Sequence, residues 1–324
     1  MASSLPQKPK FSVAIQTDTY QRLINNTLQD PKRRSRFLAA ISSAVASNPD
    51  LQDCDAGTIL SCGFLGESLN LSPSPQLGMY YMIPFNDSKN DRKVATFVLG
   101  YRGYIQLAAR SGMYKDITVT PIKRGELIKY DRITGRIELN PIEDEVQWEL
   151  TETVGYFASF EYLNGFKKSL YWSREKMIQH ADRYSKAFSA GPATIRTRNG
   201  PVTKVSFEDY AAGKIQQGTE WLYSSFWYRD FDGMAQKTMI RQLLGKWGLL
   251  SVDMQTALES DNAVISSDLT PEIVVSQDDM EPNGNGPAPE PGQPIEGTAT
   301  EATAQNAGNP PANGAADTIS LSEI

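Results

Sequence analysis

The chain has 324 residues, of which 40% are hydrophobic and 22% are charged, so it can form one large or two small domains with a sizeable core. Two cysteines, Cys54 and Cys62, and a single histidine, His180, argue against a disulfide framework and a zinc site. No segment approaches the ~20 apolar residues of a membrane helix, and the N-terminus lacks the apolar segment of a secretory signal. We therefore expect a reduced cytosolic protein.

The formal net charge of −6 hides an uneven distribution. All 32 basic residues precede residue 247, whereas residues 261–324 carry eleven acids and no base. Residues 1–260 therefore hold 27 acids against 32 bases, a net charge of +5. A basic body followed by an acidic tail is typical of nucleic-acid-binding proteins.

Helical patterns dominate the first third of the chain. Pro31 suits the first turn of a helix, and Asp55 suits the N-cap of another. Two apolar segments around a polar turn then predict a strand pair, and the helix after it stops at Gly112. In chain order we predict helices at 17–28, at 31–47 and from Asp55, strands at 78–85 and 94–99, and a helix at 101–111.

Strand patterns dominate the middle of the chain and helical patterns return after Ser173. The predicted strands are 117–123, 126–130, 136–139, 145–150, 154–162 and 166–172, and the predicted helices are 173–187, 207–216 and the longest one, 229–247. Asn164–Gly165 predicts a type I′ hairpin turn. Helices, then a strand meander, then helices indicate an α+β fold in which an antiparallel sheet packs against helices.

The last part of the chain differs in composition. Pro, Gly, Asn, Ala and Thr dominate from about residue 261, and such a segment cannot bury enough apolar surface to offset its ordering entropy. We therefore predict a folded core at 1–260 and a disordered acidic tail at 261–324. The final DTISLSEI is either a docking peptide or a frayed end.

Motifs for catalysis are absent from the sequence. There is no GxxxxGK[ST] phosphate loop, no GxSxG and no HExxH, and the acids at 143–145 suit a solvated turn. We expect no enzymatic activity. A metal-dependent nuclease stays open as a minor alternative, because carboxylates that converge only in space leave no local pattern.

Three segments interleave basic and aromatic residues, at 99–115, 183–198 and 221–247. Single-strand binders need cations for the phosphates and aromatic faces for the unpaired bases. In the last segment Lys237 and Arg241 are four residues apart, so they share one helix face. The loop at 183–198 carries four bases and no acid: Arg183, Lys186, Arg196 and Arg198. The alternative is that the aromatic residues are core and the cations lie on solvated faces.

These segments resemble blocks of the RecT family of phage single-strand annealing proteins, which are distant relatives of lambda Beta and Rad52. The similar segments are GESLNLSPSPQLGMYYMIPF at 66–85, FVLGYRGYIQLAARSGMYKDI at 97–117, ADRYSKAF at 181–188 and FDGMAQKTMIRQLLGKWGLLS at 231–251. The resemblance covers about residues 15–255 and excludes the tail.

The resemblance implies a Rad52-like core with a twisted antiparallel β-meander and one long helix beside a DNA groove. It implies ATP-independent binding of single-stranded DNA and annealing of complementary strands in homologous recombination, by a ring or helical homo-oligomer. No cofactor is required, although Mg²⁺ can affect annealing. The implied partners are a 5′→3′ exonuclease and the host single-strand-binding protein, and the implied place is the nucleoid of a bacterial host.

Candidate DNA-binding residues come from the matching blocks and from the basic and aromatic segments around them, with Lys123 and Arg124 added on a predicted strand edge. Besides the four bases of the 183–198 loop, they are Tyr101, Arg102, Gly103, Lys123, Arg124, Tyr184, Trp227, Lys237 and Arg241. Trp227 and Tyr184 could stack on bases or pack in the core. An RNA-binding annealing chaperone remains the main alternative, because the sequence contains no recognisable reader of the 2′-hydroxyl.

Overall fold

The computed structural model describes residues 9–87, 90–185, 187–197 and 200–272. This part of the chain has the expected α+β architecture, and each of its strand pairs is antiparallel. The helices are α1 Phe11–Ala14, α2 Asp18–Thr27, α3 Pro31–Ser47, α4 Ala56–Ser68, α5 Tyr101–Arg110, α6 Glu145–Leu150, α7 Arg174–Tyr184, α8 Phe207–Ala211, α9 Phe226–Arg229, α10 Phe231–Trp247 and α11 Val252–Ser260. The strands are β1 Tyr80–Asp87, β2 Arg92–Leu99, β3 Tyr114–Lys123, β4 Leu127–Tyr130, β5 Ile137–Leu139, β6 Thr153–Tyr162, β7 Lys167–Ser173, β8 Ala193–Thr197, β9 Gly200–Lys204, β10 Ala263–Ile265 and β11 Pro271–Glu272.

The N-terminal helices begin where their caps predict. The Asp30 carboxylate accepts a hydrogen bond from the backbone N–H of Lys32, which fixes the start of α3 at Pro31, and Asp55 caps α4 in the same way. Each cap satisfies one of the unpaired N–H groups of a first helical turn. The two helices meet through Phe37 and Phe64, whose rings stack 4.9 Å apart.

The first sheet joins the middle of the chain to its C-terminal part. It has the order β1-β2-β10-β11, and Ala263 pairs with Phe97 of β2. The side chains of β10 are buried, and so is Asp261. The folded core therefore continues past the predicted boundary at residue 260. The rest of the predicted tail, 273–324, lies outside the described residues.

The second sheet has the order β3-β6-β7 and carries the candidate site. Tyr156, Ala158 and Phe160 point to one face of β6 and are buried. Helix α10 covers this face, because the Tyr156 hydroxyl donates to Asp232 near the helix start (2.5 Å) and the Tyr162 hydroxyl donates to the Trp247 carbonyl at its end (3.3 Å). The long helix thus lies along β6.

The predicted antiparallel meander is confirmed in part: β3, β6 and β7 form one antiparallel sheet, whereas β4 and β5 form a separate hairpin between β3 and β6 in the chain. The segment predicted as a strand at 145–150 is α6. Asp144 caps it by accepting from the N–H groups of Val146 and Gln147, and this cap selects helix over the alternating pattern of Val146, Trp148 and Leu150.

Two smaller expectations also differ. The β6–β7 turn is not type I′, because only Gly165 has a positive φ (85°) and Asn164 does not. The Gly165 N–H donates to the Tyr162 carbonyl (2.9 Å), and the Tyr162 N–H donates to the Phe166 carbonyl (2.8 Å). These two hydrogen bonds define a three-residue hairpin loop with a glycine bulge. The expected loop at 183–198 contains β8, which pairs with β9.

Candidate nucleic-acid interface

Strand β7 and helices α7 and α10 place cations and aromatic rings side by side. Ser173 ends β7 and caps α7 by accepting from the Lys176 N–H, so the chain reverses and α7 packs against β6 and β7. The end of α10 meets the start of β7, where the Lys168 ammonium lies 4.1 Å from the centre of the Trp247 ring. We call the following residues the α7–α10 surface: Lys168, Trp172, Lys176, His180, Arg183, Tyr184, Lys246 and Trp247.

The α7 side of this surface is a row of stacked groups. The Lys176 ammonium lies 4.4 Å from the centre of the Trp172 ring, and the His180 ring lies 5.2 Å from that of Trp172. His180 also packs against Tyr184, with ring centres 4.6 Å apart, and the Arg183 guanidinium lies 5.5 Å from the Tyr184 ring. Cation–π contacts hold these cations in place without neutralising them.

The electrostatics of the surface show an excess of positive charge. Burial lowers the pKa of Lys176, and repulsion from Lys246 lowers it further. Burial likewise lowers the pKa of His180 to about 4, with repulsion from Arg241, Lys176, Lys246 and Arg183 as the further causes. Like charges disfavour one another's charged forms, so an anion bound here would relieve this repulsion.

No acidic partner neutralises this charge within the described part of the chain. Lys168, Lys176, Arg183 and Lys246 form no ion pair with another described residue. By contrast, Arg33, Lys115 and Lys167 all contact carboxylates within 3 Å. Trp247 is half exposed (50%). Unpaired cations beside an exposed indole can hold phosphates and stack an unpaired base.

Of the residues predicted from the sequence, this surface brings together only Arg183 and Tyr184. Lys168 and Lys176 were not predicted, and Lys246 and Trp247 lie in the predicted 221–247 segment but were not among its candidate residues. A signal for them was present, because FKKSLYW at 166–172 and GKW at 245–247 each combine lysine with tryptophan. Pairing β7 with the end of α10 required the three-dimensional structure.

The Tyr101–Arg102–Gly103 turn is mainly structural. Gly103 is buried, and a Cβ there would lie 2.1 Å from the Met79 carbonyl oxygen, so glycine permits the close approach of α5. Tyr101 packs against the core. Arg102 is exposed and donates to the Gln76 carbonyl (3.4 Å), so it alone of the three presents a free face to solvent.

Lys123 and Arg124 lie at the opposite end of the sheet from Trp247. Lys123 is buried: its ammonium donates to the Thr153 hydroxyl (3.2 Å) and lies 4.6 Å from the centre of the Trp148 ring. Lys123 does lie on the edge strand of this sheet, but its burial leaves little of the side chain accessible to a ligand, and a contact with DNA stays a prediction. Arg124 is exposed and pairs with Glu152 at 2.6 Å.

The structure does not expose the face of Lys237 and Arg241 that we predict to contact phosphates. Arg241 is only 8% exposed and forms an ion pair with Asp261, which is fully buried. The Lys237 ammonium lies 3.9 Å from the same carboxylate. The face lies against the core because its partner Asp261, which belongs to the predicted tail, is buried there.

The remaining candidates are scattered. Trp227 is core rather than a stacking platform: it is 1% exposed and packs edge-on against Phe231 at 5.3 Å. Arg196 is exposed on the β8–β9 hairpin. Lys186 and Arg198 lie outside the described residues.

Two searches of the described residues gave negative results. None of the helices there is long and apolar enough to cross a membrane. The same residues contain no group of three or more His, Cys, Asp or Glu side chains that could hold a metal ion.

Comparison with known proteins agrees with the sequence resemblance. The RecT family matches residues 35–276. The uncharacterized protein YqaK of Bacillus subtilis (strain 168) is 33% identical over 247 residues, which cover 76% of this chain and 71% of that protein. Protein RecT of Escherichia coli (strain K12) is 23% identical over 229 residues, which cover 70% of each chain. The chain therefore belongs to the RecT family.

Proposed function

We propose that this protein binds single-stranded DNA on the α7–α10 surface and anneals complementary strands without ATP. Membership of the RecT family supports a role in phage-type recombination. The observation that carries the proposal is the set of four cations without carboxylate partners among the described residues, beside the exposed Trp247 ring. Phosphates are the ligands that such cations attract, and an indole face accepts any base.

Annealing requires that two polyanions approach without hiding their base edges. Lysine and arginine can hold the backbone of one strand, so that its Watson–Crick edges face outward. A second strand can then test its register by base pairing, and the match itself supplies the specificity. The protein needs to supply only charge neutralisation and alignment, so we propose no catalytic group and no required cofactor.

We further propose that the protein acts as a homo-oligomer on a Rad52-like core, as a ring or a helical filament. Repetition along a strand makes each further contact effectively intramolecular and multiplies a weak affinity per subunit. A 5′→3′ exonuclease that supplies the single strand and the host single-strand-binding protein are the proposed partners at the bacterial nucleoid. The acidic tail is proposed to dock one of them.

The proposal is tested by sequential annealing. A fluorophore-labelled oligonucleotide is bound first, and a quencher-labelled complementary strand is then added, without ATP and with or without Mg²⁺. We expect quenching to be faster than for the free strands, and the duplex product to be held more stably than either strand. A non-complementary second strand serves as the control.

Two results would contradict the proposal. One is an unchanged annealing rate under all of these conditions. The other is equal retention of complementary and non-complementary second strands, because the mechanism depends on base pairing. Faster annealing of RNA than of DNA would instead favour an RNA chaperone, which can be checked with the same pair of sequences as ribonucleotides.

A further inference from the structure

The segment between β3 and β6, residues 124–152, carries four exposed large apolar side chains: Ile128, Ile133, Val146 and Leu150. We call it the insertion. Helix α6 within it has no buried residue, and Trp148 anchors it by packing under Lys123. Val146 and Leu150, four residues apart on one face of α6, are 67% and 84% exposed. Exposed apolar surface of this kind marks a contact with another molecule.

A second exposed apolar patch lies at the other end of the same sheet. We call it the turn patch, and it consists of Met113, Leu163, Phe166 and Leu249, all exposed. Contacts join its parts: Leu163 N–H donates to the Met113 carbonyl (3.0 Å), and Leu249 N–H donates to the Tyr114 hydroxyl (3.0 Å).

The strand register places the two surfaces at opposite ends of the sheet. Tyr114 pairs with Tyr162 at the turn patch, and Lys123 pairs with Thr153 at the insertion. Ten residues of β3 separate the two ends, which corresponds to about 30 Å at the rise of an extended strand. One molecule therefore presents two apolar surfaces that it cannot bring together itself.

The two ends also carry opposite charge. The insertion, residues 124–152, holds eight acids and four bases, a net charge of −4. The segments at the turn end, 110–116, 161–168 and 246–253, hold three acids and five bases, a net charge of +2; the bases are Arg110, Lys115, Lys167, Lys168 and Lys246. Glu161 pairs with Lys115 and Lys167. Lys168 and Lys246 belong to the α7–α10 surface, and the other three lie outside it. Complementary charge fixes the orientation of an interface.

We propose that the insertion of one copy of this chain binds the turn patch of a second copy, so that the copies associate head to tail. The inference rests on the proposed function for the presence of an oligomer, and it adds which surfaces form it. A row of copies joined in this way has a free insertion at one end and a free turn patch at the other. Such an interface builds rings or open helices rather than closed dimers.

The test uses two double variants, each with one surface changed. Val146→Asp/Leu150→Asp changes the insertion, and Leu163→Asp/Leu249→Asp changes the turn patch. All four side chains are exposed, so the fold should tolerate the substitutions, and circular dichroism checks this. Val13→Asp, at an exposed position of α1, is the matched control.

We expect the wild type and the control to assemble in sedimentation velocity without DNA. Each double variant alone should sediment as a monomer, because one surface of every contact is missing. An equimolar mixture of the two variants should give a species of twice the monomer mass and nothing larger, because only one intact interface can form. A symmetric interface would not recover in this mixture.

Several outcomes would overturn the inference: a wild type that stays monomeric, a double variant that assembles like the wild type, or a mixture that stays monomeric. Assembly of the insertion variant would mean that this surface serves a different partner. Binding of a short labelled oligonucleotide by the monomeric variants tests the α7–α10 surface separately. A wild type that assembles as described but does not accelerate annealing would remove the proposed function and leave the interface standing.

Discussion

Arg241 of α10 and Asp261 form a buried ion pair that ties the long helix to the segment after α11. Asp261 also accepts hydrogen bonds from the Leu99 N–H (2.9 Å) and the Tyr104 hydroxyl (2.8 Å). This single carboxylate therefore connects β2, α5 and α10. Its partners make Arg241 a structural residue, although its spacing from Lys237 matches a phosphate-binding face.

Replacement of Asp261 by Ala should destabilise the fold by about 3 kcal/mol, because it removes the carboxylate that neutralises a buried cation. Urea unfolding followed by circular dichroism measures this. Glu259→Ala, two residues earlier and exposed, is the matched control and should change the free energy of unfolding by less than about 0.5 kcal/mol. Equal urea midpoints for the two variants would show that the Arg241–Asp261 ion pair does not stabilise the fold.

A chain that ends at Glu272 should keep the stability of the full chain, whereas one that ends at Ser260 should not. The shorter chain lacks Asp261 and the strand that pairs with β2. A loss of about 3 kcal/mol in a domain of this size lowers the melting temperature by roughly 6 °C or more. Differential scanning calorimetry of both chains checks this, and coincident transitions would contradict the role of residues 261–265.

His180 should report on DNA binding, because it is the only histidine of the chain. Its pKa in the free protein is about 4, so it is neutral at pH 7. Phosphates placed beside it would favour the charged form, so we expect its pKa to rise when an oligonucleotide binds. A histidine-region NMR titration with and without the oligonucleotide measures the shift. An unchanged pKa at saturating oligonucleotide would place the DNA elsewhere.

The same residue predicts how stability depends on pH. A histidine with a lowered pKa in the folded state is protonated first in the unfolded chain, so stability falls as the pH drops from about 6.5 towards 4. Between pH 7 and pH 5 this amounts to about 2 kcal/mol at most. Urea unfolding at both pH values should show the loss in the wild type and a smaller loss in His180→Phe. Equal losses would assign the pH effect to other groups.

Gly103→Ala should destabilise the protein by about 2 kcal/mol, because the added Cβ would meet the Met79 carbonyl oxygen in a tightly packed region. Gly191→Ala is the control, since a Cβ there meets nothing within 4 Å. Arg102→Ala should leave the melting temperature unchanged. A normal melting temperature for Gly103→Ala would contradict the structural role of the turn.

Much of the fold could be predicted from local signals. The starts of α3 and α4 follow from Asp30, Pro31 and Asp55, whose chemistry acts within one helical turn. The segment at 145–150 could not be assigned, because alternation of Val146, Trp148 and Leu150 matches a strand while the Asp144 cap selects a helix. The local pattern also does not show that Trp148 packs against Lys123 of β3, which is distant in sequence.

The candidate site was harder to predict than the fold. Sequence spacing correctly placed Lys237 and Arg241 on one face of α10, but the direction of that face depends on Asp261, twenty residues later. Lys168 and Trp247 lie 79 residues apart and meet only because β7 and the end of α10 reach the same edge of the sheet. Local patterns contain residue types and periodicity. Which cations remain without a carboxylate partner depends on burial and on ion pairs with residues distant in the sequence.

The most direct test of the α7–α10 surface is the salt dependence of single-stranded DNA binding by Lys168→Ala/Lys176→Ala/Lys246→Ala. Lys10→Ala/Arg22→Ala/Lys32→Ala, which removes the same charge from exposed positions outside both the α7–α10 surface and the insertion, is the control. Fluorescence anisotropy at several salt concentrations should show weaker binding by the first variant, with a slope of log K against log salt that is shallower by about 2, since each phosphate contact contributes about 0.7. The control should keep the wild-type slope. Equal slopes for the two variants would contradict the assignment of this surface to DNA.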